Sequence, residues 1–327
     1  MSPRTFIRLF TQIQLLPVME NGEETLVGGQ AVMEGVMMRA PHSYCVAVRK
    51  PSGEVVTEEM PLDRISDTHK VFKLPVFRGV GTLFQAMSLG IKALKFSTNA
   101  ALDNPEVPED KRIKEIPTWA LVGPLLFSLA SFLFLYKFMP LLLVTRLAKI
   151  YPVLSGRLLF NLTDGAIRIA IFLTFLYVLS RMKDIRRMFQ YHGAEHKVVF
   201  NFESGQDVSV QNAQKFSTFH PRCGTSFLFV MMILAMPVYA LIPFDDFVAK
   251  FVCRILLLPL IVGVSYELIK FAAKRRGSFL ATITAPGLWL QRITTQPPTD
   301  EQAAIAIRAL EGAMTLEKSQ GGELVIA

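Results

Sequence analysis

Four long apolar stretches dominate the chain, each set off from the next by polar or charged residues. Trp119 to Phe138 carries a single charge, Lys137, at its end, and Thr225 to Phe244 carries none. As helices, both are long enough to cross a hydrocarbon core about 30 Å thick. Asp164 to Ser180 is interrupted by Arg168, and Phe251 to Phe271 by Arg254, Glu267 and Lys270. Charges near the ends of such segments reach the interface along their aliphatic stems, so these two are also read as spans. The pattern predicts a mainly α-helical integral membrane protein with about four transmembrane helices within residues 117–271.

The flanks have a different texture. Residues 1–116 read as a small cytoplasmic α+β domain. Tyr44 to Lys50 and Glu54 to Met60 are β-prone runs joined by Pro51-Ser52-Gly53, which signals a hairpin. Upstream, the run from Gly28 to Arg39 sets three glycines among apolar residues. Its spacing fits neither the P-loop nor the dinucleotide fingerprint. It reads instead as a strand or turn where backbones approach closely, with Glu34 and Arg39 as its polar residues. Leu83, Phe84, Met87, Ile91, Leu94 and Phe96 then recur at helical spacing, bordered by Lys92 and Lys95. An amphipathic helix in the membrane interface and a core helix of the soluble domain fit this segment equally.

Asn104 to Asp110 is a polar linker into the first span. Residues 272–327 form a helical tail, in which Gln296-Pro297-Pro298-Thr299-Asp300 stops one element and caps the next. Asp300 to Glu317 is expected as a surface helix with Ile305, Leu310 and Met314 on its apolar side. The first eighteen residues are mildly amphipathic and lack a cleavable signal. They are read as lying on the membrane surface or as an extension ahead of Met19.

Composition agrees: 51% of the 327 residues are hydrophobic, and 25 are Phe. The net charge of +8 is unevenly placed. Lys111, Arg112 and Lys114 precede the first span, Arg181, Lys183, Arg186 and Arg187 follow the second, and Lys274, Arg275 and Arg276 follow the fourth. Asp245 and Asp246 lie between the third and fourth. The positive-inside rule then puts both termini and the loop 181–224 in the cytoplasm of a multi-pass plasma-membrane protein; Arg146, Lys149 and Arg157 run against it. The charge is thus assigned to topology and to contact with the lipid bilayer. No aromatic-interleaved basic patch is present, so nucleic acid is not an expected partner. Cys45, Cys223 and Cys253 are expected as free thiols or a metal ligand.

The candidate chemistry lies in the 181–224 loop. His192-Gly193-Ala194-Glu195-His196 places two imidazoles one helical turn apart, where both reach one metal ion. The H-x-x-E-H order is that of inverted zinc metallopeptidases. If the second span continues past Ser180 as a helix, Met182, Ile185, Phe189, His192, His196 and Val199 share one face. Glu203 falls on that face too, but about 10 Å of helix rise beyond His196, too far to share its ion. His220 and Cys223 follow a polar loop that can fold back. Four ligands, His192, His196, His220 and Cys223, make a closed structural site. Three leave a position for chemistry, with Glu195 as general base for metal-assisted hydrolysis. Glu267 is a further candidate ligand, since its separation from His196 suits an inverted zinc-peptidase layout. Imidazole and thiolate favour zinc or iron over magnesium. Cys223 as a nucleophile beside His220 or His196 rests on proximity alone. Arg168, Arg254 and Glu267 either line an ion path or pair with one another.

Four segments together resemble the YqhQ-like family of multi-pass bacterial membrane proteins: Gly28 to Arg39, Tyr191 to Lys197, His220 to Ser226, and Ser265-Tyr266-Glu267. The resemblance runs from about Gly28 to the C-terminal helix. It implies a bacterial-type membrane location, with a plastid relative as the lesser alternative. The family is a domain of unknown function commonly labelled a predicted metal-dependent enzyme, a label that rests on the same histidine motif.

The resulting expectation is a membrane-embedded zinc-dependent hydrolase at the cytoplasmic face. Glu195 would be the catalytic base, and the substrate a membrane protein or a lipid-linked molecule. The rival is a non-enzymatic membrane scaffold or assembly factor with structural zinc, and a transporter is third.

Overall fold

The computed structural model describes residues 27–63, 65–103, 117–220, 223–274 and 279–319. The first eighteen residues, the 104–110 linker, Lys111, Arg112, Lys114, Pro221, Arg222, Arg275 and Arg276 lie outside the described residues. Four antiparallel strands pair in sequence order: β1 (Gly28–Val32), β2 (Gly35–Arg39), β3 (Ser43–Arg49) and β4 (Val55–Pro61). β3 and β4 are the expected hairpin, with Arg49 opposite Val55 and Gly53 at φ 88°. The glycine-rich run is a second hairpin, turned by Met33 and Glu34, with Glu34 at φ 53°. Gly35 is required by close approach: a Cβ there would lie 2.2 Å from the Ala47 carbonyl oxygen on β3.

The helices are α1 (Phe77–Leu102), α2 (Val122–Ile150), α3 (Arg157–Ser180), α4 (Lys183–Glu203), α5 (Gly224–Ala240), α6 (Phe247–Leu256), α7 (Leu258–Lys274), α8 (Phe279–Thr294) and α9 (Asp300–Ser319).

Alternation along the strands sends side chains to two cores. Val36, Met38, Cys45 and Ala47 pack with Tyr191, Ala194 and Val198 of α4 and with Ile305, Ala309 and Leu310 of α9. Met37, Tyr44, Val46 and Val48 pack with Leu89, Ala93 and Ala100 of α1. Both faces of the sheet are therefore covered. The surface helix expected over 300–317 is instead an interior one. Ile305, Leu310 and Met314 are buried, but so are Ala303, Ala306, Ile307, Ala309 and Ala313. Its small residues let it lie close on the sheet. Glu317 anchors its end, accepting the His42 backbone N–H at 2.9 Å, with Ser43 Oγ at 2.9 Å. α1 buries one face only; Phe84 (67% exposed), Met87, Ile91 and Leu94 form an uncovered apolar stripe.

Among the described residues, two helices are long and apolar enough to cross a membrane, α2 with 29 residues and α3 with 24. α6 and α7 meet at 47° and count as a third if the bent pair is one span. α5, where a further span was expected, has 17 residues. It stops before Pro243, whose ring disfavours the helical conformation in the residue ahead of it. Two other expectations are corrected. The helix does not continue past Ser180: the backbone turns at Met182 (ψ 133°) and α4 starts afresh. Nor is Lys137 at the end of a span; it is buried midway along α2 in a π-helical turn, Phe134–Phe138.

Gly312 tests the α9–sheet packing. A Cβ there would sit 2.6 Å from Cys45 Sγ and 2.8 Å from Glu59 Oε1. Alanine elsewhere in a helix stabilises by about 1 kcal/mol, whereas overpacking costs about 1–3 kcal/mol. Gly312→Ala is therefore expected to lower stability in a denaturant or thermal melt, and adding Cys45→Ala to recover part of the loss.

Candidate metal centre

Tyr191, Ala194 and Val198 commit one side of α4 to the sheet, which turns His192 and His196 the other way. Glu34, from the β1–β2 turn, fixes this rotation: Arg187 donates to it through Nε and through Nη2 at 2.7 Å, and Tyr191 Oη lies 3.3 Å away. Burial and the Glu34 carboxylate push the Tyr191 hydroxyl up to about 12.

Two segments close over the histidine side. A Cβ at Gly193 would lie 2.1 Å from the Gln296 carbonyl oxygen, so only glycine lets the end of α8 come this near. The Gln296 N–H donates to the Phe189 carbonyl at 2.9 Å. That contact delivers the Thr294 carbonyl to His192 Nδ1 at 2.8 Å. On the other flank, Lys197 Nζ donates to the Gln214 and Phe216 carbonyls, each at 2.7 Å, and holds the returning loop. Burial depresses the Lys197 amine below its ordinary range. The loop in turn delivers the Thr218 carbonyl to His196 Nδ1.

A carbonyl oxygen only accepts, so in each ring Nδ1 carries the proton and Nε2 holds the free lone pair. His192 Nε2 lies 3.3 Å from Cys223 Sγ, and the two histidine rings are 4.4 Å apart. One ligand atom from each of His192, His196 and Cys223 falls within 4.8 Å of the others. Ligands at zinc distances on a tetrahedron stand about 3.4–3.8 Å apart, so small side-chain adjustments bring these three onto one ion. Glu195 is buried, with Oε2 3.5 Å from His196 Nε2. Gly29 makes its place: a Cβ on β1 there would lie 2.8 Å from Glu195 Cγ.

The structure sets His220 beside this group rather than within it. Its ring is 5.5 Å from that of His196, and its Nε2 is 3.6 Å from Glu203 Oε2. Buried Gln291 grips its backbone from both sides, accepting from the N–H and donating to the carbonyl, both at 2.7 Å. Burial drives His220 down to about 4, against the pull of the Glu195 carboxylate and with a push from His192, so it is neutral at physiological pH.

Glu267 stands elsewhere. It receives Arg78 Nε at 2.6 Å, Arg78 Nη2 and the Val76 N–H at 3.2 Å. Val76 has φ 69°, ψ −53°, and the Phe77 N–H reaches back to the Pro75 carbonyl at 2.9 Å. This γ-turn is a strained conformation for a β-branched residue.

Sequence reasoning missed the carbonyls of Thr218 and Thr294, the clamp of Lys197, and Gln291. Only the last left a trace, as an amide beside Arg292 near the end of a mostly apolar helix.

A family described as a protein of unknown function (DUF1385) matches residues 74–316, which contain all of these ligand candidates. An uncharacterized protein of Bacillus subtilis (strain 168), YqhQ, is 33% identical over 299 residues, 89% of this chain and 92% of that relative. The protein belongs to the YqhQ-like (DUF1385) family. No solved structure matches the chain at a significant level.

The geometry gives Glu267 the work of holding the α1 N-terminus to α7. Hydrogen bonds to charged groups contribute about 1.5–3 kcal/mol. Glu267→Ala should lower thermal stability by about that amount, read as a reduced melting temperature of the detergent-purified protein.

Proposed function

We propose that the protein is a membrane-embedded, zinc-dependent hydrolase with its active site at the cytoplasmic face. The observation that carries the reading is the paired orientation of His192 and His196. Each Nδ1 is tied to a main-chain carbonyl, while His192 Nε2 lies 3.3 Å from the Cys223 thiol and His196 Nε2 3.5 Å from the Glu195 carboxylate. Such an outer hydrogen bond accompanies nearly every metal-binding histidine, fixing its tautomer and raising its basicity. A set of three His, Cys or carboxylate ligands with an open fourth position is the pattern of catalytic zinc sites.

The membrane reading draws on α2, α3 and the bent α6–α7 pair, with α5 as a short fourth crossing. The uncovered stripe of α1, flanked by Lys92 and Lys95, suits a helix lying in the interface. Orientation follows from the basic residues that flank the spans.

When bound, zinc would supply Lewis acidity to a carbonyl or phosphoryl oxygen. The remaining chemistry belongs to the chain. Glu195, buried beside His196, takes the proton of the attacking water and returns it to the leaving group as the scissile bond breaks. The carbonyls of Thr218 and Thr294 hold the two imidazoles in place through that exchange. An interfacial site of this kind suits a membrane-protein segment or a lipid-linked substrate.

One observation favours a second reading. The same three side chains join α4, the start of α5 and the end of the returning loop, so bound zinc would also pin the loop as a structural element.

Metal analysis of the detergent-purified protein tests both. The wild type is expected to hold near-stoichiometric zinc and His192→Ala/His196→Ala to hold none; a folded, metal-free wild type purified without chelator would overturn the proposal. Glu195→Gln should keep its zinc and lose about 100-fold or more in turnover on hydrolase substrates. Undiminished function in cells carrying Glu195→Gln would select the structural reading.

A separate variant probes the outer shell. Gly193→Ala displaces the segment that orients His192, and outer-shell losses typically cost 10–100-fold in metal affinity. Competition with a zinc chelator should show a drop of that size with all ligands present.

A further inference from the structure

A second concentration of polar chemistry lies in the helix bundle, away from the histidines. α3 contributes Asn161, Asp164 and Arg168, α5 contributes Tyr239, α6 contributes Arg254, and the π-helical turn of α2 contributes Lys137. Lys137, Arg168 and Arg254 are only 5%, 2% and 1% exposed. Asp164 is shared between the two guanidinium groups: Arg254 Nη1 donates to Oδ1 at 2.6 Å and Arg168 Nη2 donates to Oδ2. Arg254 Nη2 donates to Asn161 Oδ1 at 2.9 Å. Tyr239 stands at the centre. The charged ends of Lys137, Arg168 and Arg254 lie 5.2, 5.2 and 4.9 Å from its ring centroid. Its hydroxyl accepts from Lys137 Nζ at 2.7 Å.

Three cations therefore share one carboxylate in a desolvated setting. Tyr239 and Asn161 supply dipoles but no charge. Among the described residues, Arg168 Nε and Nη1 and Arg254 Nε are buried donors with no hydrogen-bond partner. Surplus buried charge and unsatisfied guanidinium donors are both unfavourable, and intramembrane ionisable groups usually mark a ligand or ion site. The π-helical turn that carries Lys137 is itself a distortion found mostly at functional positions.

A narrow cleft of about 20 Å³ reaches the edge of the cluster at Asn161, Tyr239 and Arg254. Arg157 and Lys250 also line it, with Asp245 as its acidic member, 3.7 Å from Lys250. Positive charge thus continues from the mouth to the buried group. Along α3, Asp164 lies about 24 Å from Ser180, the end nearer α4. The cluster is a site of its own and not an extension of the metal centre.

We propose that Lys137, Arg168 and Arg254 form a binding site for a phosphate-type oxyanion. An oxyanion accepts from the buried donors left open on Arg168 and Arg254, and planar guanidinium donors match phosphate oxygens. Inorganic phosphate and the phosphate of a lipid headgroup present the same oxyanion. The site stands whether or not the histidine centre is a hydrolase.

The test is thermal unfolding of the full-length protein in neutral detergent, titrated with inorganic phosphate, with short-chain phosphatidic acid, or with chloride at matched ionic strength. Lys137→Met is the companion variant, because it removes the buried amine and leaves both Arg–Asp164 pairs. The expected result is a saturable rise in the wild-type melting temperature that chloride does not reproduce. Without added anion, Lys137→Met should melt no lower than wild type, and its apparent affinity for the effective anion should be at least tenfold weaker. A response to inorganic phosphate identifies a soluble anion, and a response to phosphatidic acid alone identifies a lipid headgroup. Three results would each sink the proposal: no response beyond chloride, a wild-type response in Lys137→Met, or a lower anion-free melting temperature in that variant.

Discussion

Tyr191, Ala194 and Val198 press one side of α4 into the sheet and α9, while Gly193 lets Gln296 touch the backbone of the other side. This two-sided grip is the constraint on which the rest depends. Burial fixes the rotation of the helix about its axis, and rotation decides which way the histidines point. The missing Cβ at Gly193 then allows the end of α8 close enough to present a carbonyl. Without the first, the imidazoles would face the sheet; without the second, His192 would lack the partner that fixes its tautomer. Residues from the N-terminal sheet, α4 and the C-terminal helix thus cooperate in one core, although nearly the whole chain separates them in sequence.

Local signals were legible and distant ones were not. Pro51-Ser52-Gly53 announces its hairpin because the turn chemistry sits inside the motif. The i, i+4 histidines announce a shared face for the same reason. By contrast, Ile305, Leu310 and Met314 mark an apolar side of α9 but cannot say that Ala303, Ala306, Ala309 and Ala313 are buried as well. Alanine is compatible with surface or core, and only the partner sheet decides. Lys137 stands at the end of the apolar run in sequence, yet the helix continues to Ile150 and its amine finds Tyr239 from α5. Glu267 looked available to a metal because its spacing fitted. Its partner, Arg78, lies 189 residues earlier, a pairing that no local pattern encodes.

The two polar centres differ in how their groups are satisfied. At the histidines, Nδ1 of both rings is matched to a carbonyl, Lys197 is matched to two more, and Gln291 closes both backbone groups of His220. The free valences there are lone pairs, which suit a cation. In the bundle, the free valences are N–H donors of Arg168 and Arg254, which suit an anion. A buried group left open in either sense is costly, and the sign of what is left open tells which kind of partner would relieve it.

The same reasoning bears on whether His220 completes the metal shell. A fourth ligand must surrender its other contacts, and His220 is held at the backbone by Gln291 and faces Glu203 through Nε2. Its strongly depressed basicity reflects burial, which penalises the imidazolium and keeps the ring neutral. Glu195 is differently placed. Gly29 reserves the room for it beside His196, whose Nε2 lies 3.5 Å from its carboxylate. The structure thus brings three of the four candidate ligands within reach of one another, with the Glu195 carboxylate beside them and the His220 ring one step further out, and the proposed open site draws on that spacing.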